Sequence, residues 1–434
     1  MPKHPSGCGA RAGPPRRPGA GAERCLRAFS VDLCEARALL ERARERAKAG
    51  VDEETRFELL RAEGILLSSE GHTGAIPVLR DALELGRRLG RSLQELSELY
   101  DASVQALLRA GRLVDAQRLL DEWTGLLGRA HVDVSLDILL ARSTAELMLA
   151  RGDAHGASRL LESVLPRWPD PDHPSLGVLE QSLAQAWIEQ RRFREAERLL
   201  RRALERHQRL GRPTLFLRHE HGRALLGLGR FQEAERELRR ALAEVPETKS
   251  AAPMRHELAR CIEAQGRFDE AEALLDEVLA ERRRDRAADG ALYAASLYEK
   301  ARIRRLRGEL GTAEELLREV LRVEERALGR AHPVLLSTLS ELGGALIDLG
   351  KSREAEPLLR RAAQLAEQKA DRSALAASLA QLARAQATRG FVHARDTARR
   401  ALQVLSTADA ELAPALLREV EAIAAGAMRR TSQG

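Results

Sequence analysis

A six-residue phrase that starts with glycine and ends with alanine recurs along the chain, and it limits the possible fold more than any other feature. The clearest copies are Gly229–Ala234 (GRFQEA) and Gly266–Ala271 (GRFDEA). When all copies are aligned on the alanine, nine alanines stand 37 to 42 residues apart. They are Ala75, Ala116, Ala157, Ala196, Ala234, Ala271, Ala313, Ala355 and Ala394. This period predicts an array of small units that share their cores with their neighbours.

Apolar residues follow each of these alanines at constant distances along the chain. Four residues later stand Leu79, Leu120, Leu161, Leu200, Leu238, Leu275, Leu317, Leu359 and Ala398. Seven residues later stand Ala82, Trp123, Val164, Ala203, Ala241, Val278, Val320, Ala362 and Ala401. Offsets of 0, 4 and 7 fall on one face of an α-helix, so each unit is predicted to contain one amphipathic helix.

A second helix is predicted before each phrase. Twelve residues before the alanine, small residues recur that would let two helices pack closely. They are Ala145, Ala184, Gly222, Ala259, Ala301 and Gly343, with Gly64 and Ala383 one residue out of register and Val104 as the exception. Glycines that favour a left-handed helix cap end this first helix at Gly111, Gly152, Gly229, Gly266, Gly308 and Gly350. Arg191 takes that place in the fourth unit, which therefore lacks the glycine expected at the turn.

Together these residues resemble the tetratricopeptide repeat, with its small residue, turn glycine, aromatic residue and two alanines. The stretch Gly329–Ala355, which includes His332 and Pro333, is similar to the longer unit of kinesin light chains. The resemblance implies an all-α fold, a right-handed superhelical solenoid of about nine helix-turn-helix repeats. It also implies that the first helices line a concave groove.

Four segments are predicted along the chain. Residues 1–30 form a disordered basic tail rich in glycine and proline, and residues 31–51 form an N-terminal helix. The repeat solenoid covers residues 52–406, and residues 407–434 form a C-terminal capping helix with a short tail. The terminal helices would shield the ends of the stack. Four prolines between Pro166 and Pro174 predict a lengthened joint between repeats three and four.

The charge is unevenly spread, and this bears on the class of partner. The formal net charge is +6, but residues 1–30 carry +5 of it, which leaves +1 for the rest of the chain. A nucleic-acid-binding helical repeat, the alternative function, needs a basic groove, and a nearly neutral body argues against it. Nucleic acid is therefore an improbable partner.

The sequence contains motifs that resemble catalytic or metal-binding motifs, but their predicted structural context does not suit that role. Ala345–Ser352 fits a relaxed phosphate-loop pattern, yet Gly350 in it is the turn glycine of a repeat, with no strand before it. His219 and His221 lie about 200° apart on a helix, so they cannot share a metal ion. We therefore expect no enzyme activity, no cofactor and no metal site.

Cysteine usage and hydropathy bear on the compartment. The four cysteines form no CxxC pair, and no segment approaches the roughly 18 apolar residues that span a membrane. We therefore predict a cytoplasmic protein without a membrane partner.

The resemblance places the fifth and ninth residues of each repeat in the groove. In repeats five to seven these are His219, Arg223, His256, Arg260, Tyr298 and Arg302. The guanidinium group of arginine can donate two parallel hydrogen bonds to a carboxylate. One hypothesis is therefore that the groove binds an acidic peptide or a C-terminal carboxylate. The alternative is that Glu220, Glu257 and Glu299, three residues before each arginine, neutralise them on a solvated surface.

The sequence thus predicts a non-catalytic protein-protein interaction scaffold. Its partner would be a peptide or protein held in the concave groove, and an acidic one under the first of the two hypotheses above. Tetratricopeptide arrays with kinesin-light-chain-like units resemble the recruiting parts of bacterial signalling proteins, so the resemblance implies a kinase or regulator among the partners.

Overall fold

The computed structural model describes residues 41–42, 52–69, 71–72, 74–128, 134–167, 172–245, 251–284, 290–390, 393–407 and 414–426. These residues form nineteen α-helices, one short 3-10 helix and no strand, so the prediction of an all-α fold is confirmed. None of these helices is long and apolar enough to cross a membrane. The predicted tail, residues 1–30, lies outside the described residues, and so does the predicted N-terminal helix except for Glu41 and Arg42.

The chain divides into two compact units, Met1–Trp168 and Pro169–Gly434. The division falls at the proline-rich joint that the sequence predicted between repeats three and four. Trp168, Pro169 and Pro171 of that joint lie outside the described residues.

The first unit contains repeats one to three, each a pair of antiparallel helices. Its helices are α1 (Glu53–Ser69), α2 (Ala75–Arg88), α3 (Leu93–Arg109), α4 (Leu113–Leu127), α5 (Val134–Ala150) and α6 (Ala154–Val164). A 3-10 helix, Leu165–Arg167, follows α6.

The second unit contains repeats four to nine and a final helix. Repeats four to six are α7 (Pro174–Glu189) with α8 (Phe193–Arg209), α9 (Leu215–Gly227) with α10 (Phe231–Ala243), and α11 (Ala252–Glu263) with α12 (Phe268–Arg284). Repeats seven to nine are α13 (Gly290–Leu306) with α14 (Leu310–Leu328), α15 (Leu335–Asp348) with α16 (Ser352–Gln368), and α17 (Arg372–Thr388) with α18 (Ala394–Leu405). The last helix, α19 (Pro414–Ala425), covers the stack with Val420 and Ile423, both buried.

The predicted apolar face forms the core of every repeat. All nine anchor alanines and all residues four and seven positions after them are buried. The small residues of the first helices pack on these leucines: a Cβ added to Gly222 would lie 2.6 Å from Leu238, and one added to Gly343 would lie 2.5 Å from Leu359. Glycine is therefore needed at these two positions because the paired helices approach each other closely.

The turn between the helices of a pair uses the left-handed backbone region. Gly229 and Gly266 have φ of 73° and 77°. Arg191 adopts φ of 61° at the same place in repeat four, so a residue with a side chain is held where the other repeats use glycine. The turn of repeat four is therefore preserved despite the substitution.

In repeats four to seven the first helices of successive repeats touch one another, in the pairs α7 with α9, α9 with α11, and α11 with α13. Each second helix instead packs mainly between the first helices on either side of it. Because α7, α9, α11 and α13 touch in succession, their side chains form one continuous face across repeats four to seven.

Candidate binding face

The six residues predicted to bind a partner come together on three neighbouring first helices. His219 and Arg223 lie on α9, His256 and Arg260 on α11, and Tyr298 and Arg302 on α13. Residues four apart share one side of a helix, so the three pairs form two parallel rows. This surface of α9, α11 and α13 is called the first-helix face below.

Arg223 is held by carboxylates from three helices. Its Nη1 donates to Glu220 Oε2 at 2.8 Å, and its Nη2 donates to Glu189 Oε1 of α7 at 3.0 Å. Its Nε lies 3.6 Å from Glu257 Oε1 of α11. The arginine therefore joins repeats four, five and six.

Arg260 and Arg302 repeat this arrangement one and two repeats further along. Arg260 Nη1 donates to Glu257 Oε2 at 2.9 Å, and its Nε lies 3.3 Å from Glu299 Oε1. Arg302 Nη1 lies 3.0 Å from Glu299 Oε2, and its Nη2 donates to Glu263 Oε2 at 2.7 Å. The pairs that the sequence suggested three residues apart all form, but each arginine also reaches a second helix.

The glutamates of this network are buried, whereas the sequence alternative described a solvated surface. Glu220, Glu257, Glu263 and Glu299 are each less than 10% exposed. Arg260 and Arg302 lie over them with 38% and 36% of their side chains exposed. Buried carboxylates are retained in a fold when cations compensate them, so these arginines have a structural role.

Two carboxyl groups in the network, those of Glu220 and Glu257, have lowered pKa values. Burial opposes the ionisation of Glu220, but Arg223 and His219 outweigh it and lower its pKa to about 2. Burial likewise opposes the ionisation of Glu257, but the charges of Arg260 and Arg223 outweigh it and lower the pKa of Glu257 below its ordinary value. Both side chains are therefore carboxylates at neutral pH.

Glu299 shows that the face holds more carboxylates than arginines. Burial raises its pKa above the ordinary value despite Arg302 and Arg260, and the nearby charges of Glu263 and Glu257 add to the increase. The three arginines of the network face five carboxylates, those of Glu189, Glu220, Glu257, Glu263 and Glu299. The first-helix face is therefore not a cationic surface.

His256 is part of a buried polar chain. Its Nδ1 lies 2.9 Å from Ser296 Oγ, and Ser296 Oγ accepts a hydrogen bond from Arg282 Nη1 at 2.7 Å. Burial lowers the pKa of His256 to about 4, and the positive charges of Arg282, Arg260 and Arg223 add to this shift. His256 is therefore neutral at physiological pH.

His219 and Tyr298 are the other two members of the row that contains His256. His219 Nδ1 lies 3.3 Å from Glu220 Oε1, and its Nε2 is buried without a partner among the described residues. Burial raises the pKa of Tyr298 well above its ordinary value, because it disfavours the phenolate. Tyr298 packs its ring against the apolar core of repeats seven and eight.

Arg305, on α13 of repeat seven, continues the arginine row toward repeat eight. Its Nη1 lies 2.7 Å from Glu341, and its Nη2 lies 3.1 Å from Asp348, which also binds Arg384 of α17. A Cβ added to Gly344 would lie 3.1 Å from the Arg305 guanidinium. Gly344 holds the place that arginine has in repeats five to seven, and its missing side chain leaves room for Arg305.

Sequence reasoning identified both rows but missed the residues that hold them. Glu189, Glu263 and Arg305 lie near the ends of their helices, three or four residues beyond the ninth repeat position. A search of the next helical turn on the same face would have found them. Ser296 lies on α13 and Arg282 on α12, the second helix of repeat six. Neither residue belongs to a pattern that recurs with the repeat period.

The described residues contain no cluster of metal ligands. No group of three histidine, cysteine or acidic side chains among them is placed to hold a metal ion. Gly350, in the stretch that resembles a phosphate loop, has φ of 74° and forms the turn between α15 and α16.

Comparisons with known proteins agree with this architecture. Residues 225–295 match one model of the tetratricopeptide repeat, and residues 181–210, 294–334 and 335–370 match another. No curated protein sequence matches the chain.

Several solved structures are similar to the chain. A signal transduction ATPase with numerous domains and a tetratricopeptide repeat sensor, from Pyrococcus horikoshii, has 16% identity and a TM-score of 0.58, covering 85% of this chain and 54% of that one. NprR in complex with its cognate peptide NprX has 14% identity and a TM-score of 0.51, covering 76% and 96%. The nearly identical repeats of a putative kinesin light chain from Podosopora anserina have 26% identity and a TM-score of 0.36, covering 46% and 99%.

The stacked helix pairs define an all-α repeat solenoid, a fold that buries its core between neighbouring units. The chain contains tetratricopeptide repeats, which the family models match over residues 181–210 and 225–370. Proteins of this kind are interaction scaffolds, and this chain is a protein-interaction scaffold.

Proposed function

We propose that the chain binds a segment of a partner protein along the first-helix face of its second unit, on the concave side of the repeat stack. The observation that carries the proposal is the aligned row of His219, His256 and Tyr298, one residue from each of three successive repeats. A partner segment laid across the helices would meet the same position three times. Repetition of this kind suits an extended ligand.

The arginine–glutamate network supports this proposal by fixing the row in place. Arg223, Arg260 and Arg302 each join helices of neighbouring repeats, so α9, α11 and α13 have a defined spacing. A surface that is ordered before binding loses little conformational entropy when it meets its ligand. The six predicted residues thus divide into a contact row and a supporting row.

The acidic partner proposed from the sequence remains a prediction, and the charges of the face disfavour it. Five carboxylates surround three arginines, so a ligand carboxylate would have to displace a buried one. Leaving a buried carboxylate without its cation is strongly unfavourable. We therefore propose a protein partner whose contact segment is not acidic.

We further propose that the scaffold works in a bacterial signalling or regulatory assembly, with a kinase or transcriptional regulator as partner. The support is the fold likeness to the sensor of a signal transduction ATPase and to NprR bound to its cognate peptide. The ligands of those two proteins are not assigned to this chain.

Photo-cross-linking tests where the partner binds. A photoreactive p-benzoylphenylalanine replaces Tyr298 on α13 or, as the matched control, Arg322, which is exposed on the second helix of the same repeat. We expect covalent adducts from position 298 and none from position 322 after irradiation in cells. Equal adducts at both positions, or none at 298, would contradict the proposed face. Mass spectrometry of the adduct then tests the regulatory assignment.

A further inference from the structure

Four exposed arginines form a row along α8, the second helix of repeat four. They are Arg194, Arg198, Arg201 and Arg202. Successive members stand four, three and one residues apart, which places all four on one side of the helix. The buried residues of α8, which include Ala196 and Ala203, lie on the opposite side. This surface is called the α8 arginine row below.

The α8 arginine row differs from the other arginines of the same helix in having no carboxylate partner. Arg206 pairs with Glu180, and Arg209 pairs with Asp172. None of the four arginines of the row forms an ion pair with a described residue, although Glu205 is exposed one turn after Arg201. Like charges one turn apart destabilise a helix, and no contact within the described part of the chain offsets this repulsion.

The α8 arginine row is a local feature, as the matching positions of the next two second helices show. Three of its members stand two, five and six residues after the anchor alanine Ala196. In α10 the last two of these positions hold Arg239 and Arg240, and both pair with glutamates. In α12 they hold Asp276 and Glu277, whose side chains are 56% and 61% exposed. These positions thus change from unpaired cations on α8 to carboxylates on α12.

This change of charge favours a short acidic protein segment over nucleic acid. Nucleic acid binds without sequence preference through many phosphate contacts along its length. A strand laid across the second helices would meet the carboxylates of α12. A short segment laid along α8 instead meets four arginines within about 12 Å, since a helix rises 1.5 Å per residue. Each guanidinium group can donate two parallel hydrogen bonds to a carboxylate.

We propose that the α8 arginine row binds a short acidic segment of a partner protein, which lies along α8 with its carboxylates facing the four guanidinium groups. Residues 1–30 of this chain do not suit the row, because they carry a net charge of +5. The inference goes beyond the proposed function, since the first-helix face lies on α9, α11 and α13 and the row lies on a second helix.

Fluorescence anisotropy with the full-length chain tests this ligand class. The probes are labelled, end-capped nonaglutamate, the uncharged nonaglutamine and a DNA duplex of 12 base pairs. We expect nonaglutamate to bind at least about tenfold more tightly than nonaglutamine in 50 mM salt, and the difference to shrink in 500 mM salt because exposed charges are screened. Equal affinity of the two peptides in 50 mM salt would overturn the proposal.

Two variants with the same change in net charge test where the peptide binds. The row variant combines Arg194→Gln, Arg198→Gln, Arg201→Gln and Arg202→Gln. The control variant changes four exposed arginines on other second helices, each of which has a carboxylate partner: Arg80→Gln, Arg88→Gln, Arg118→Gln and Arg360→Gln. We expect the row variant to raise the Kd for nonaglutamate about tenfold or more, and the control variant to raise it about twofold or less.

The comparison of the variants has two results that would refute the proposal. Equal losses of nonaglutamate binding in both variants, with equal helicity by circular dichroism, would show that overall charge is the cause. A row variant that loses affinity for the duplex but not for nonaglutamate would assign the row to nucleic acid. The basic residues 1–30 are present in every protein compared, so they do not account for a difference between variants.

Discussion

Glu220 and Arg223 form an ion pair in which the carboxylate is buried and the guanidinium lies over it, with Nη1 2.8 Å from Oε2. The Glu220 side chain is 6% exposed and that of Arg223 is 18% exposed. Arg223 also contacts Glu189 and Glu257, so one pair connects three repeats. The pair should therefore stabilise the stack as well as its own helix.

Glu220→Gln should lower the free energy of unfolding at pH 7 by about 3 kcal/mol. This is the free energy that corresponds to the difference between a pKa of about 2 in the folded chain and 4.5 in the unfolded chain. Because the folded pKa is the lower one, this stabilisation is complete above pH 4.5 and is lost as the pH falls toward 2. Urea unfolding followed by circular dichroism at several pH values measures it.

Glu205→Gln is the control for that series, since Glu205 is exposed on α8. We expect it to change the free energy of unfolding by less than about 0.5 kcal/mol. A wild-type advantage over Glu220→Gln that stayed constant between pH 4.5 and 2 would show that ionisation of Glu220 is not its source.

His256 should remain unprotonated down to a pH near 4. Its pKa of about 4 lies below the ordinary value of 6.5, so the unfolded chain binds a proton more readily than the folded one. Stability linked to this group is complete above pH 6.5 and declines as the pH falls toward 4. Two-dimensional NMR of the imidazole should show constant shifts from pH 8 to about 5. A midpoint near 6.5 would contradict burial beside Ser296.

Gly343→Ala should destabilise the second unit by about 1–3 kcal/mol, because the new Cβ would lie 2.5 Å from the buried side chain of Leu359. Gly125→Ala is the matched control, since nothing lies within 4 Å of its position inside α4. That change should stabilise the chain by about 0.5–1 kcal/mol through helix propensity.

A double-mutant cycle checks the cause of the Gly343 effect. Combining Gly343→Ala with Leu359→Ala should cost less than the sum of the single changes, because the smaller partner leaves room for the new methyl group. Strict additivity in urea titrations would mean that the two side chains do not interact.

Arg191→Gly should raise the free energy of unfolding by about 1 kcal/mol. Arg191 has φ of 61°, a conformation that costs energy for any residue with a Cβ, and glycine removes that cost. Thermal unfolding of the two proteins compares them. A lower melting temperature for the glycine variant would show that the arginine side chain, and not the backbone, stabilises this turn.

Most of the fold could be predicted from the repeat period. Ala234 and Leu238 were predicted to share one apolar helix face, and Gly222 was predicted to let the paired helix approach closely. Both predictions hold, because close packing of two helices leaves few residue types possible at each position. The position of Arg191 was also predicted from its repeat register, although its residue type gives no sign of a left-handed turn.

The candidate site was predicted less completely, for a physical reason. Sequence spacing shows which residues share one helix, so the pair of Glu257 with Arg260 was foreseen. It does not show which residues approach from other helices, and so it missed Glu263, Ser296 and Arg282. Their contacts with Arg302 and His256 depend on the distances between helices, which tertiary packing sets.

The Arg223 to Glu257 contact has a consequence for how the chain can change in length. Repeats five and six carry the same motif, with His219, Glu220 and Arg223 matching His256, Glu257 and Arg260. Each arginine pairs both with its own glutamate and with the glutamate of the next repeat. A duplicated copy of repeat six would find a complementary charge on either side. Gene duplication can therefore extend the array by whole units without exposing an unpaired buried charge.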